Sequence, residues 1–183
     1  MIVMNETDYI FPTIILMGVC GCGKTTIGKQ LAAMLDGQFF DGDDYHPASN
    51  IDKMSHGIAL NDTDRKSWLD SLCQLINSRK SSGEPTIVAC SSLKSTYRQQ
   101  LRSCAVKTQF VYLRGDRQTI LQRMQNRANQ ENHFMPASLI DSQFAILEEP
   151  VNAIQVDISS SPEEICPQII AAVKMTLGMD CPV

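Results

Sequence analysis

Gly18-Val19-Cys20-Gly21-Cys22-Gly23-Lys24-Thr25 decides how this chain reads. It fits G-x-x-x-x-G-K-[ST], the phosphate-binding P-loop. Before it, Thr13-Ile14-Ile15-Leu16-Met17 is a short apolar, β-branched run that predicts a strand. After it, residues 26–35 place Ile27, Leu31, Met34 and Leu35 at helical spacing. A loop between a strand and a helix N-terminus aims backbone N–H groups and the positive end of the helix dipole at a phosphate. Residues Gly18, Val19, Cys20, Gly21, Cys22, Gly23, Lys24, Thr25 and Thr26 are therefore expected to hold a nucleoside triphosphate. Lys24 would reach the β- and γ-phosphates, and the Thr25 hydroxyl would ligate Mg²⁺.

Outward from the loop, strand-like runs alternate with helical patterns. Strands are predicted at Gln38-Phe39-Phe40-Asp41 and over 86–90, 109–113 and 154–158. Helices are predicted over 62–79, 95–103, 117–127, 138–147 and 162–177, the last with Ser161 as N-cap and Gly178 just past its end. This alternation implies a doubly wound α/β fold with a parallel sheet. In such folds ligands bind beyond the C-terminal ends of the strands. Site candidates are thus the P-loop, Asp41-Gly42-Asp43-Asp44, Ser91-Ser92-Leu93-Lys94 and Arg114-Gly115-Asp116.

The bulk properties narrow the function classes. The 183 residues suffice for one domain spanning 1–183 with a sizeable core. Apolar residues make up 43% and charged residues 20%, ordinary for a globular protein. No apolar run approaches the roughly 20 residues of a membrane-spanning helix. Met1 to Asp8 carries no secretory signal pattern. A net charge of −4 argues against a nucleic-acid partner. The seven cysteines are odd in number and contain no C-x-x-C pair, so neither a disulfide framework nor a zinc site is expected. They read instead as small buried hydrophobes in a reducing, cytoplasmic setting.

Four groups could carry chemistry. The first is Asp41-Gly42-Asp43-Asp44 at a strand end. Phosphoryl transfer needs a carboxylate near Mg²⁺ and one that orients the acceptor hydroxyl. Strand three ends in Cys90-Ser91-Ser92, without the usual Walker-B acid, so the strand-two acids are the best metal partners. Asp41 is the candidate for Mg²⁺ and Asp43 for the acceptor. Second, Asn50, Lys53 and Met54 share a face if Pro47 opens a helix. Third, Ser91, Lys94 and Arg98 cluster at the start of a helix, where an anion is favoured. Fourth, Arg123 and Arg127 precede a polar stretch over 126–132 that could form a lid over the nucleotide. Taken alone, the cations of the last three groups read equally as solvated helix charges or a helix C-terminal pair.

The blocks D-G-D-D-Y-H-P from Asp41, N-I-D-K-M from Asn50, L-N-D from Leu60 with Asp64-Arg65, C-S-S-L-K from Cys90 with Tyr97-Arg98, H-F-M-P from His133, and Gln143-Phe144 resemble the gluconokinases. With Leu16-Met17-Gly18-Val19 and the P-loop before them and Trp68-Leu69 among them, these blocks run in order over residues 14–150. The resemblance implies a P-loop kinase of nucleoside-monophosphate-kinase-like, three-layer α/β/α fold with a small lid near 124–137. It implies a cytoplasmic homodimer that transfers phosphate from ATP, with Mg²⁺, to D-gluconate. The product would be 6-phospho-D-gluconate, which feeds the pentose phosphate pathway. It further implies Asp43, His46, Lys53, Arg65, Lys94, Arg98 and His133 at the substrate, and Lys24, Asp43 and Arg127 in catalysis. The chain departs from the family pattern twice: Cys20 and Cys22 stand where serines are usual, and Ala128 to Asn132 lengthen the lid. A thiol beside the phosphates would be open to oxidation. Other readings are a shikimate-kinase-like or nucleoside-monophosphate-kinase-like transferase, or a catalytically silent nucleotide-binding regulator.

Overall fold

The computed structural model describes residues 12–104, 107–131 and 137–178, with side chains outside 127–138. Five strands form one parallel sheet: β1 (Thr13–Met17), β2 (Gln38–Asp41), β3 (Thr86–Ala89), β4 (Thr108–Arg114) and β5 (Ile154–Asp157). Their spatial order is β2-β3-β1-β4-β5. The chain runs to one side of β1 for β2 and β3, then to the other for β4 and β5. The P-loop leaves β1 at that switch point, where open α/β sheets bind ligands.

Alternate residues of the central strands feed opposite cores, as the period of two requires. Ile14 and Leu16 of β1 pack with Ile27 and Leu31 of α1 (Lys24–Leu35) and Ile165, Ile169 and Val173 of α7 (Pro162–Thr176). Ile15 and Met17 pack on the other face with Trp68, Leu69 and Leu72 of α3 (Asp62–Ser78) and Tyr97 and Leu101 of α4 (Ser95–Ser103). Continuous apolar runs in β1 and β3 follow from burial on both faces. The remaining helices are α2 (Ala48–Ser55), α5 (Arg117–Glu131) and α6 (Ala137–Ile146). A single 3₁₀ turn, Gly42–Tyr45, follows β2.

Local signals set the helix ends. Asn61 and Asp64 form a reciprocal capping box at α3, with hydrogen bonds of 2.9 and 3.0 Å. At α7, Glu164 accepts from the Ser161 N–H at 3.0 Å, and Gly178 beyond the end takes φ 70°.

Two expectations are revised. Cys73 and Cys104 form a disulfide joining α3 to the end of α4. Sequence spacing gave no sign of it because the two cysteines meet only through tertiary packing across 31 positions. The polar stretch expected to open a loop after residue 127 continues α5 to Glu131. Ala128, Gln130 and Glu131 are good helix formers, and polarity alone does not end a helix. Pro47 does open a helix: it is the N-cap of α2, which begins at Ala48 and carries Asn50, Lys53 and Met54.

Candidate active site

The P-loop wraps the end of β1. Gly18 takes φ 144°, and a Cβ there would lie 2.8 Å from Cys22 Sγ and 2.9 Å from the Leu113 carbonyl. Only glycine fits a backbone so placed. Cys22 is fully buried beneath the loop, whereas Cys20 is half-buried. The oxidation argument therefore falls on Cys20. The Cys20 N–H donates to Gln143 Oε1 at 2.7 Å, which ties the loop to α6. Arg123 of α5 donates to the Ile158 carbonyl and lies beside Gly23.

Lys24 curls over the loop. Its Nζ donates to the Gly18 and Val19 carbonyls at 2.9 and 3.0 Å. Burial works to lower its pKa, but the ionisable neighbours Cys22, Cys20, Asp43 and Cys90 together raise it. The ammonium therefore stays charged.

Thr25 and Asp41 meet at the end of β2, where Thr25 Oγ1 donates to Asp41 Oδ2 at 2.8 Å. Asp41 Oδ1 caps the following turn by accepting from the Asp43 N–H at 3.2 Å. Gly42 sits between the two acids because a Cβ there would strike the Ala89 carbonyl at 2.3 Å. Thr25 and Asp41 supply a hydroxyl and a carboxylate side by side. That hard oxygen set suits Mg²⁺. Thr26, next in α1, is exposed.

Asp43 keeps 81% of its side-chain surface exposed. The protein packed about it raises its pKa; Lys24 pulls it down, and Asp41 and Asp44 push it up again, for a net rise. His46 lies on Trp68, ring centroids 4.3 Å apart and planes 15° apart. Its side chain is 5% exposed, and Nε2 faces Asp43 Oδ1 at 4.0 Å. Trp68 Nε1 also donates to the Gly42 carbonyl at 2.6 Å. The one tryptophan thus supports both sides of the acidic turn.

At the start of α3 lies a cavity of about 410 Å³, lined by Leu60, Asn61, Asp62, Thr63, Arg65, Lys94 and Ile146. Its two cations are Arg65 of α3 and Lys94 at the N-cap of α4. Lys94 bonds Asp62 at 2.6 and 2.8 Å, and Tyr97 donates to the same carboxylate. These two bonds hold Asp62 below the usual carboxylate range. Arg65 donates to the Leu60 carbonyl and stands over the Tyr97 ring. Among the described residues it pairs with no carboxylate. Lys53, one turn away on α2, bonds Asp64 at 2.6 Å.

Arg98 is placed differently. It is 7% exposed and donates to the Ser92 and Leu93 carbonyls at 2.9 and 3.0 Å. Burial lowers its pKa, and its visible work is to fix the loop that carries Lys94. His133 lies outside the described residues, as does the side chain of Arg127. Asp62, Asp64, Tyr97 and Gln143 were not picked out as site residues from sequence. The capping pattern N-D-x-D from Asn61 was the available signal for the two acids.

A profile describing the shikimate kinase family matches residues 20–174. The chain is 46% identical to the thermosensitive gluconokinase of Escherichia coli (strain K12), over 87% of this chain and 88% of that one. It is 40% identical to a gluconokinase of Arabidopsis thaliana, over 94% of this chain and 98% of that one. Its fold matches the crystal structure of a gluconokinase from Sinorhizobium meliloti 1021 at a TM-score of 0.81 and 37% identity, covering 91% and 94% of the two chains. An APS kinase from Mycobacterium tuberculosis, at 18% identity and TM-score 0.69, shares the fold. With an intact P-loop, an acid bonded to it and relatives of this identity over most of their length, the chain belongs to the gluconokinase family of shikimate-kinase-like P-loop kinases.

Proposed function

We propose that this enzyme transfers the γ-phosphoryl of ATP to the terminal hydroxyl of D-gluconate. One observation carries the reading. The acidic turn at Asp41–Asp43 bonds Thr25 of the P-loop on one side, and on the other His46 behind it leads through Asn50 to the Asp64 carbonyl and so to Arg65, which has no carboxylate partner among the described residues. This series of contacts links the phosphate loop to the side read as the acceptor site.

The residues divide the work. The P-loop N–H groups and Lys24 hold the phosphates and neutralise charge that develops on them. Thr25 and Asp41 would hold Mg²⁺, which when bound neutralises charge between the β- and γ-phosphates. Asp43 accepts the proton of the attacking hydroxyl as the new P–O bond forms and the bond to the bridging oxygen of ADP breaks. Its exposed side chain leaves that carboxylate open to an incoming hydroxyl. Arg65 binds the gluconate carboxylate, with Lys94 and Lys53 held by acids at the rim. Arg98 supports that rim from behind. Family likeness supports a homodimer in the cytoplasm. Among the described residues no helix is long and apolar enough to cross a membrane.

A coupled ADP-release assay tests the reading, with gluconate, shikimate and nucleoside monophosphates offered side by side. Gluconate-dependent turnover in large excess over the others is expected. Turnover with shikimate or a nucleotide alone replaces the reading with one of those activities. No turnover with any acceptor makes the chain a nucleotide-binding regulator.

A further inference from the structure

His46 and its neighbours form a chain of contacts in which each partner fixes the next. Asn50 is 2% exposed, so its amide must be satisfied from within. It stands 2.8 Å from the Asp64 carbonyl, a group that only accepts. The amide nitrogen therefore faces that carbonyl, and this settles which way the amide points. The same Nδ2 lies 3.3 Å from His46 Nδ1. Its second hydrogen is directed there, so Nδ1 is the acceptor and the ring proton resides on Nε2. Nε2 in turn faces Asp43 Oδ1 at 4.0 Å. Stacking on Trp68 sets the ring plane, and the indole N–H holds the Gly42 carbonyl next to Asp43.

We propose that His46 is a positioning residue: locked by Asn50 as the Nε2–H tautomer, it donates to Asp43 and turns that carboxylate toward the acceptor hydroxyl. The inference rests on the reading of Asp43 as the group that meets the acceptor. The 4.0 Å separation closes with a small rotation of the exposed Asp43 side chain. Catalytic hydrogen bonds often tighten in this way when substrate binds. A neutral ring suits the role, because an imidazolium would pair with Asp43 as an ion and blunt it as a base. Burial first, and then the Arg65 charge, depress the ring pKa to about 4, so it is neutral at physiological pH.

Two measurements test this. The first is nitrogen NMR of the three histidines in the resting wild-type protein, with His46→Gln identifying the signal. Expected is an unprotonated Nδ1 and a protonated Nε2 near neutral pH, with the Nε2–H signal displaced by Asp43→Asn. A proton on Nδ1, an imidazolium, or a signal indifferent to Asp43→Asn overturns the proposal. The second is kinetic. His46→Phe keeps the stack on Trp68 but loses the N–H, and should lower kcat about 10-fold or more with the acceptor KM changed far less. His46→Gln places an amide N–H near Nε2 and should recover most of that loss. A Phe variant with wild-type kcat, or a Gln variant no better than Phe, overturns it. The NMR measurement needs no substrate. It is decided even if the gluconate reading fails, which shows separately as wild-type protein without gluconate-dependent ADP release.

Discussion

Thr25 Oγ1 donates to Asp41 Oδ2 at 2.8 Å, joining the last residue of the P-loop motif to the end of β2 across 16 positions. A hydroxyl and a carboxylate so placed form one half of an oxygen site for a hard cation. Asp41→Asn keeps a hydrogen-bond partner for Thr25 and removes the charge. The Mg²⁺ concentration giving half-maximal rate should rise about 10- to 100-fold. Melting temperature should change little, since the pair is exposed. An unchanged Mg²⁺ titration would shift the metal role to Asp43 or Asp44.

Asp43, proposed above to meet the acceptor hydroxyl, makes a different prediction. Asp43→Asn is nearly isosteric and removes the proton acceptor. Turnover should fall about 100-fold or more, within the range for loss of a general base. Affinity for a non-hydrolysable ATP analogue, measured by calorimetry, should stay within a few-fold of wild type. Near-normal turnover would show that Asp43 does not serve the acceptor.

The donor half of the site was legible in the sequence because it is local. One strand, one glycine-rich loop and one helix lie within residues 13–35, and the motif carries its own geometry. The register of α4, read as 95–103, agrees with the structure for the same reason: its apolar spacing is short-range. The acceptor half is assembled from residues far apart, and sequence supplied names for its cations without their partners. Lys94 and Lys53 turn out to be held by Asp62 and Asp64. Arg98 has the same i, i+4 relation to Lys94 that suggested a shared ligand, yet it points into the protein and bonds carbonyls. Helical spacing shows which residues share a face, but not whether that face meets solvent or core.

Arg65 follows from that sorting. Its neighbours are paired with acids, whereas it has a carbonyl and an aromatic ring. Arg65→Met should raise the KM for gluconate about 10- to 100-fold, as for loss of a hydrogen bond to a charged group. It should leave the rate with the corresponding polyol, which lacks the carboxylate, nearly unchanged. Wild type should therefore prefer the acid strongly and the variant weakly. Equal losses on both substrates would place the carboxylate elsewhere, at Lys94 or Lys53.

His46 also links pH to stability. Its folded pKa is depressed to about 4 from 6.5, by burial and then by Arg65. Above pH 6.5 both folded and unfolded rings are neutral and nothing is lost. Between 6.5 and 4 the unfolded chain takes up a proton that the folded one refuses, so stability falls as pH falls. The full loss is up to about 3 kcal/mol from this group. Urea unfolding at pH 7.0, 6.0 and 5.0 should show the decline. His46→Gln should show a shallower slope over the same interval. Equal slopes would mean the ring titrates normally in the folded protein.

The disulfide gives the last prediction, and it concerns the shape of the proposed acceptor cavity. Cys73 and Cys104 join α3 to the end of α4. The opposite ends of those helices carry Asp62 and Arg65, and Tyr97 with Lys94 just before it, which are bonded to one another. Closing a loop of 31 positions restricts the unfolded chain and is worth about 3 to 4 kcal/mol on the chain-entropy account. A thiol reductant should therefore lower the melting temperature of wild-type protein by about 10 °C. Cys73→Ser should melt near the reduced protein and show no response to reductant. If splaying of the two helices reaches the cavity, gluconate KM should rise on reduction while the KM for ATP, held by β1 and α1, stays fixed. A melt identical with and without reductant would mean that this pair adds nothing to stability and that the noncovalent contacts between α3 and α4 set the cavity by themselves.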